Sequence, residues 1–306
     1  QRPGHHFINE LLTQDTNEVS MADKILPAFP ARTKLAYENG DFLASVDART
    51  IRILSEYLEP QSQLRRAGVR HTVVFFGSAR ILSREQALEK LRELKDAGRV
   101  TAARPAELKA ARMAVEMSRY YEEARELAAL ITRWSMRLNR GSGFLLVCSG
   151  GGPGIMEAAN RGAADAGGRS VGLNIMLPTE QAPNAFITPE LSFLFHYFFM
   201  RKLWFAQPAK ALIVFPGGFG TMDELWEFLT LVQSGKMDRR TAILLYGSDF
   251  WKRAVNFEWL REAGTISDED LSLIHYVDSP KEAFSVLKKK FQRDRTLRSA
   301  APRRFF

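Results

Sequence analysis

The stretch Ala211-Leu212-Ile213-Val214-Phe215-Pro216-Gly217-Gly218-Phe219-Gly220-Thr221-Met222-Asp223-Glu224-Leu225 decides the fold. Ala211 to Phe215 is an apolar run that reads as a buried strand. Glycines follow, and apolar residues then recur at helical spacing from Leu225 to Val232. A strand feeding a glycine turn and then a helix aims free backbone N–H groups and a helix dipole at one point, a site for an anion such as phosphate. The pattern occurs a second time upstream. Phe144 to Cys148 reads as a strand, Ser149-Gly150-Gly151-Gly152-Pro153-Gly154 as the turn, and Ile155 to Ala166 as the helix. A third apolar run, Thr72 to Phe76, ends in Gly77-Ser78.

Working outward, Ser170–Ile175, Thr241–Tyr246 and Leu273–Val277 read as further strands. Ser83–Ala97, Pro105–Leu138, Thr221–Ser234, Phe250–Ala263 and Lys281–Phe291 read as helices. Near-continuous apolar strands alternating with helices predict an α/β fold, a doubly wound parallel sheet with helices on both faces. All three glycine turns follow strands, so they are expected at one edge of that sheet, where such folds bind ligands. Residues 1–68 read as a mainly helical extension, with helical spacing over Phe42–Leu58 and punctuation at Pro27, Pro30 and Pro60. Residues 69–292 read as the α/β domain that carries the three glycine turns, and 293–306 as a basic tail.

Charge and composition exclude several classes. The net charge is +8, but Lys288 to Phe306 holds eight basic residues against Asp294 alone, which leaves about +1 for the rest. Basicity confined to a tail is more often solvated than bound to a polyanion, and there is no aromatic interleaving across a sheet face of the kind single-strand binders use, so nucleic acid is not expected as a partner. The single cysteine, Cys148, cannot form an internal disulfide. Neither an 18-residue apolar run nor a signal-peptide pattern occurs, and the expectation is a soluble, cytoplasmic protein without a membrane partner. The five histidines show no ligand-like pairing outside the start of the chain, so no metal is expected. The strand Ser170–Ile175 does not end in an acidic residue, and no Gly-Lys-Ser/Thr follows the glycines, which argues against dinucleotide and Walker-type sites.

Within the turns, Gly217, Gly218 and Gly220 permit positive φ and close approach of a ligand. Thr221 is placed to cap the helix and donate to a phosphate oxygen. Asp223 and Glu224 fall at the helix start, where acids also simply complement the dipole. Arg201-Lys202 follows the aromatic run Phe193 to Phe199. Such a pair is usually a solvated helix start, but an arginine fork beside a glycine loop grips phosphate at two points. His196 reads as a core or interface histidine. Phe198 and Phe219 could stack on a base or fill core or interface.

Pro216-Gly217-Gly218-Phe219-Gly220-Thr221 with Glu224 resembles the PGGxGTxxE motif of the Lonely Guy (LOG) family of cytokinin-activating phosphoribohydrolases. Met200-Arg201-Lys202 is similar to its companion arginine motif. Ser149 to Ala159 looks like the corresponding loop of the longer bacterial branch, and Gly77-Ser78-Ala79 also fits. The resemblance spans about residues 70 to 280. It implies a Rossmann-like fold, a homodimer or larger homo-oligomer with the site near a subunit interface, and hydrolysis of the N-glycosidic bond of a nucleoside 5′-monophosphate such as AMP or an N6-modified relative, without a cofactor. Arg201 and Glu224 are then the catalytic pair. Gly77, Ser78, Ser149, Gly150, Gly151, Gly152, Glu157, Lys202, Gly217, Gly218, Phe219, Gly220 and Thr221 are then candidates for substrate and phosphate binding. The loop sequence and the extra segments at both ends depart from the shorter plant form, and they bear on substrate choice and assembly.

Two other classes compete. A nonenzymatic carrier or sensor of a nucleotide or of molybdenum cofactor would bind without turnover. A pyridoxal-phosphate decarboxylase would need a Schiff-base lysine with a partner for the cofactor, and the chain shows no local motif for one.

Overall fold

A computed structural model describes residues 34–96, 104–138, 144–178 and 182–293. The segment containing Pro27 and Pro30 and the basic tail beyond Arg293 lie outside the described residues. The chain divides into two compact units, Gln1–Arg52 and Ile53–Phe306. In the first, a turn of 3-10 helix at Ala36–Glu38 precedes helix α1 (Gly40–Ala44), capped where the Asn39 side chain accepts the Phe42 N–H. Arg52 donates to the carbonyls of Leu43 and Ser45.

Helix α2 (Arg49–Arg66) contains Pro60, so this proline does not end the helix as expected. Then come β1 (His71–Phe76), α3 (Arg84–Asp96), α4 (Arg104–Met117), α5 (Arg119–Arg137), β2 (Leu145–Ser149), α6 (Ile155–Asp165), β3 (Ser170–Ile175) and β4 (Ser192–Phe195). The remainder is α7 (Phe198–Ala206), β5 (Ala209–Val214), α8 (Phe219–Gln233), β6 (Ala242–Tyr246), α9 (Ser248–Ala254), α10 (Phe257–Glu262), α11 (Asp268–Leu271), β7 (Ile274–Val277) and α12 (Pro280–Arg293).

Three departures from the sequence reading have local causes. The long helix expected over 105–138 is two, parted at Ser118, whose hydroxyl donates to the Val115 carbonyl. The helix expected over 250–263 is also two, because the Asn256 side chain accepts the Trp259 N–H and starts a new one. Ser192–Phe195, read only as the start of an aromatic run, is an edge strand.

The seven strands are all parallel, in the order β4-β3-β2-β1-β5-β6-β7. Alternate residues of each strand feed opposite cores. Val73 and Phe75 of β1 join Tyr121, Leu127 and Ile155 on one face, while Val74 and Phe76 join Trp204, Phe205 and Phe228 on the other. Burial on both faces is why the strands read as continuous apolar runs. The chain starts at β1 in the middle, builds outward to β4, and returns to β5 on β1's free side. The order therefore reverses between β1 and β5, and the three glycine turns follow the three adjacent strands β2, β1 and β5. That is the crevice where open α/β sheets hold their ligands.

Candidate active site

The three turns are joined through backbone. The Phe215 N–H donates to the Phe76 carbonyl at 2.8 Å and the Ser78 N–H to the Pro216 carbonyl at 3.0 Å, while the Ile155 N–H donates to the Ser78 carbonyl at 3.2 Å. Gly154, with φ of +68°, caps α6, and a Cβ there would overlap the Ser78 carbonyl. Gly77 packs against the Ile155 side chain.

The loop after β2 is braced by buried polar side chains, of which the sequence reading singled out Ser149 but not the asparagines. Ser149, fully buried, donates its hydroxyl to Asn160 Oδ1 at 2.6 Å and accepts the Gly151 N–H at 3.0 Å. Its side chain thus holds the loop from behind rather than facing the cleft. Asn160 also donates to Ser170 and to the Val171 carbonyl. Asn184 donates to the carbonyls of Gly151 and Gly152 and to Asn160 Oδ1, each at 3.0 Å. Asn174 packs against Gly151. The available signal was a lone amide in otherwise apolar or alanine-rich segments, since a buried amide must find partners. Glu157 does lie in the first turn of α6, where it accepts the Tyr121 hydroxyl at 2.6 Å. Burial, and then Glu157, push the Tyr121 phenol up to about 12.

The loop after β5 corrects three expectations. Helix α8 begins at Phe219 with Gly218 as its N-cap, so Thr221 is inside the first turn and does not cap it. Gly218 has φ of −96°, and neither Gly217 nor Gly220 is among the positive-φ glycines. What glycine provides at 217 is space. A Cβ on Gly217 would overlap Thr221, whereas positions 218 and 220 have nothing within 4 Å. Asp223 and Glu224 start the second turn, and no acid stands in the first. Dipole complementation therefore does not account for Glu224, and the first-turn N–H groups have no acidic side chain of their own helix above them.

Glu224 is only 5% exposed and its Oε2 has no hydrogen-bond partner. Burial raises its pKa and the nearby Lys202 and Arg201 pull it back, leaving it at about 7. A carboxyl buried without a hydrogen bond to one oxygen costs stability, and such groups concentrate at functional sites. Across from it, α7 carries Arg201 as its fourth residue. The guanidinium donates Nε to the Leu173 carbonyl at 2.7 Å and Nη2 to the Gly150 carbonyl at 3.3 Å, over the Phe205 ring at 5.1 Å. A side chain on Gly150 would meet that nitrogen at 2.5 Å, so glycine is required where the arginine reaches the loop. Burial lowers the Arg201 pKa, with Glu224 acting in the opposite sense.

Lys202 points the other way, onto α8, with Nζ 2.8 Å from Asp223 and 2.9 Å from Glu227. Burial draws its pKa down, but Asp223 and Glu227 outweigh that and leave it raised. Phe219 is 95% exposed at the mouth of the crevice and Phe198 is about half exposed, so neither fills the core. His196 is exposed rather than core. The structure thus gathers Gly77, Ser78, Gly150 to Gly152, Arg201, Gly217 to Thr221 and Glu224 around one crevice, with Glu157 on the flank of α6 and Ser149 and Lys202 behind. Such a constellation can hold an anion on two helix N-termini and set a titrating carboxyl beside what the anion carries.

This is a Rossmann-like α/β protein with its candidate site at the strand-order reversal. A family model described as "Possible lysine decarboxylase" matches residues 156–287. The probable cytokinin riboside 5′-monophosphate phosphoribohydrolase LOGL1 of Oryza sativa subsp. japonica is 29% identical over 163 residues, 53% of this chain and 70% of that protein. The match to LOGL1 agrees with the resemblance of the glycine and arginine motifs to the Lonely Guy (LOG) family. Among solved structures, the molybdenum cofactor binding protein of Rippkaea orientalis aligns at 18% identity over 56% of this chain and 86% of its own, with a TM-score of 0.40. The Moco carrier protein of Chlamydomonas reinhardtii aligns at 18% identity over 74% and 99%, with a TM-score of 0.43. At those scores neither carries a functional inference. No described helix is long and apolar enough to cross a membrane.

Proposed function

We propose that the protein hydrolyses the N-glycosidic bond of a nucleoside 5′-monophosphate, giving free base and ribose 5-phosphate. The observation that carries this reading is Glu224, a buried carboxyl with one unpartnered oxygen and a pKa near 7, one turn below the open N-terminus of α8. The relation to LOGL1 favours the same chemistry. The 5′-phosphate sits on the first-turn N–H groups of α8, with Gly218 and Gly220 leaving room for it. Phe219 offers its exposed ring to the base. As the C1′–N bond breaks, positive charge grows on the ribose, and the Glu224 carboxylate stabilises it more than the neutral ground state. Water adds its hydroxyl to C1′ and gives its other proton to Glu224, which passes it on to the departing base, directly or by way of solvent, and is restored as the carboxylate. Arg201 acts by holding the Gly150 carbonyl and by its field on Glu224.

The decarboxylase name on the family model fits this site less well. A Schiff base needs a neutral amine, and Lys202 is held as an ammonium between Asp223 and Glu227. Chromatography of reactions with AMP and its N6-modified relatives tests the proposal. Free base and ribose 5-phosphate are expected, and tight binding without base release would favour a carrier or sensor.

A further inference from the structure

Helix α7, which bears Arg201, has no side-chain cap of its own at Tyr197. The cap comes from a distant helix. Glu56, on α2, accepts the His196 N–H at 2.7 Å on Oε1 and the Tyr197 N–H at 3.2 Å on Oε2. The same short segment holds the other end of α7. The Glu56 carbonyl accepts the Trp204 indole N–H at 3.0 Å, and the Tyr57 ring packs against Trp204 with centroids 5.9 Å apart. Arg201 lies midway between these anchors, and its own N–H bonds the Tyr197 carbonyl at 3.2 Å.

We propose that Glu56 is a positioning residue for Arg201, so that helix α2 belongs to the catalytic apparatus rather than being an appendage to it. The inference rests on the reading of Arg201 as part of the site. A carboxylate bonded to two orphan N–H groups at a helix start both fixes the entry angle of that helix and satisfies its dipole. Because α7 is short, with few intrahelical bonds, its placement depends on what holds its ends. Arg201 reaches the Gly150 carbonyl over 3.3 Å, and a shift of about 1 Å at α7 breaks that contact and moves the positive charge facing Glu224. It also follows that the N-terminus of α7 is occupied by Glu56, which leaves the N-termini of α6 and α8 for a substrate phosphate.

The test uses the full chain with Glu56→Ala and Glu56→Gln, the latter keeping one acceptor and nearly the same shape. Amide exchange at His196 to Arg201 is expected to quicken about tenfold or more in the alanine variant and less in the glutamine variant, with β1 and α8 unchanged. AMP turnover is expected to fall about tenfold or more, chiefly in kcat. In an Arg201→Ala background the same Glu56 change is expected to cost less than about twofold, because it acts through the arginine. Unchanged exchange at His196 to Arg201, or an equal loss in both backgrounds, would overturn the proposal. A wild-type protein that releases no base would sink the functional reading alone. The exchange comparison, with AMP affinity measured in the Glu56 and Arg201 variants, would still decide the role of Glu56.

Discussion

The Ile155 N–H donates to the Ser78 carbonyl oxygen over 3.2 Å, which ties the helix after the second glycine turn to the turn after β1. Ser78 in turn donates its own N–H to Pro216, so the three turns of the crevice form one backbone-bonded unit. Disturbing one of them is expected to disturb the others.

Gly154 is the point at which that unit tolerates least. Its φ is +68° and a Cβ would run into the Ser78 carbonyl. Gly154→Ala combines left-handed strain with a backbone clash, and is expected to cost about 2 kcal/mol or more. Denaturant unfolding measures it, and a loss of turnover should accompany the loss of stability.

Glu224 links activity to pH. Its ionised form is the working one, so kcat/KM is expected to rise with pH and level off above about 7, the pKa to which burial raises it. Stability runs the other way. The folded pKa lies above the usual value of 4.5, so between about 4.5 and 7 the folded state binds more protons and loses stability as pH rises. Glu224→Gln is therefore expected to match wild type near pH 4.5 and to exceed its stability increasingly up to about pH 8, by a few kcal/mol at most, read as a rising difference in thermal midpoint. Equal midpoints at both pH values would show that the carboxyl is not desolvated.

Lys202 tunes that titration from behind. Its ammonium lowers the Glu224 pKa, while Asp223 and Glu227 raise it. Lys202→Met removes the favourable charge and leaves two carboxylates unpaired, so the pH midpoint of kcat/KM is expected to move upward. A midpoint that stays put would mean Lys202 has no field at Glu224.

Phe219 separates binding from folding. At 95% exposure its ring contributes almost nothing to the core, so Phe219→Ala should leave the thermal midpoint within about 1–2 °C. If the ring stacks on the base, KM for AMP rises by an order of magnitude or so, since base–aromatic stacking is worth about 1–3 kcal/mol.

Most of the sheet was legible because strands buried on both faces keep apolar runs that few polar residues interrupt: Ser170–Ile175 matches its observed ends, and the other strands named in the sequence agree within two residues. The glycine turns were legible as motifs, but their conformations were not. Gly217 serves space rather than positive φ, while Gly218 and Gly220 have neither a positive φ nor a neighbour within 4 Å, and sequence cannot separate these cases. The edge strand Ser192–Phe195 was hidden because its alternating burial sits inside a run of aromatics. The Ser149–Asn160–Asn184 brace and the Glu56 cap were illegible for another reason. Each joins residues far apart in the chain, and nothing local to Glu56 marks a carboxylate that caps a helix 140 residues away.

The most direct test of the central claim is base release from AMP and N6-modified AMP by wild type and Glu224→Gln, followed chromatographically, with nucleotide affinity measured in parallel. The account predicts free base and ribose 5-phosphate from wild type, a loss of about a hundredfold or more in the variant, and nucleotide binding retained in both. Turnover undiminished in Glu224→Gln, or binding by wild type with no base released from any nucleotide, would contradict it.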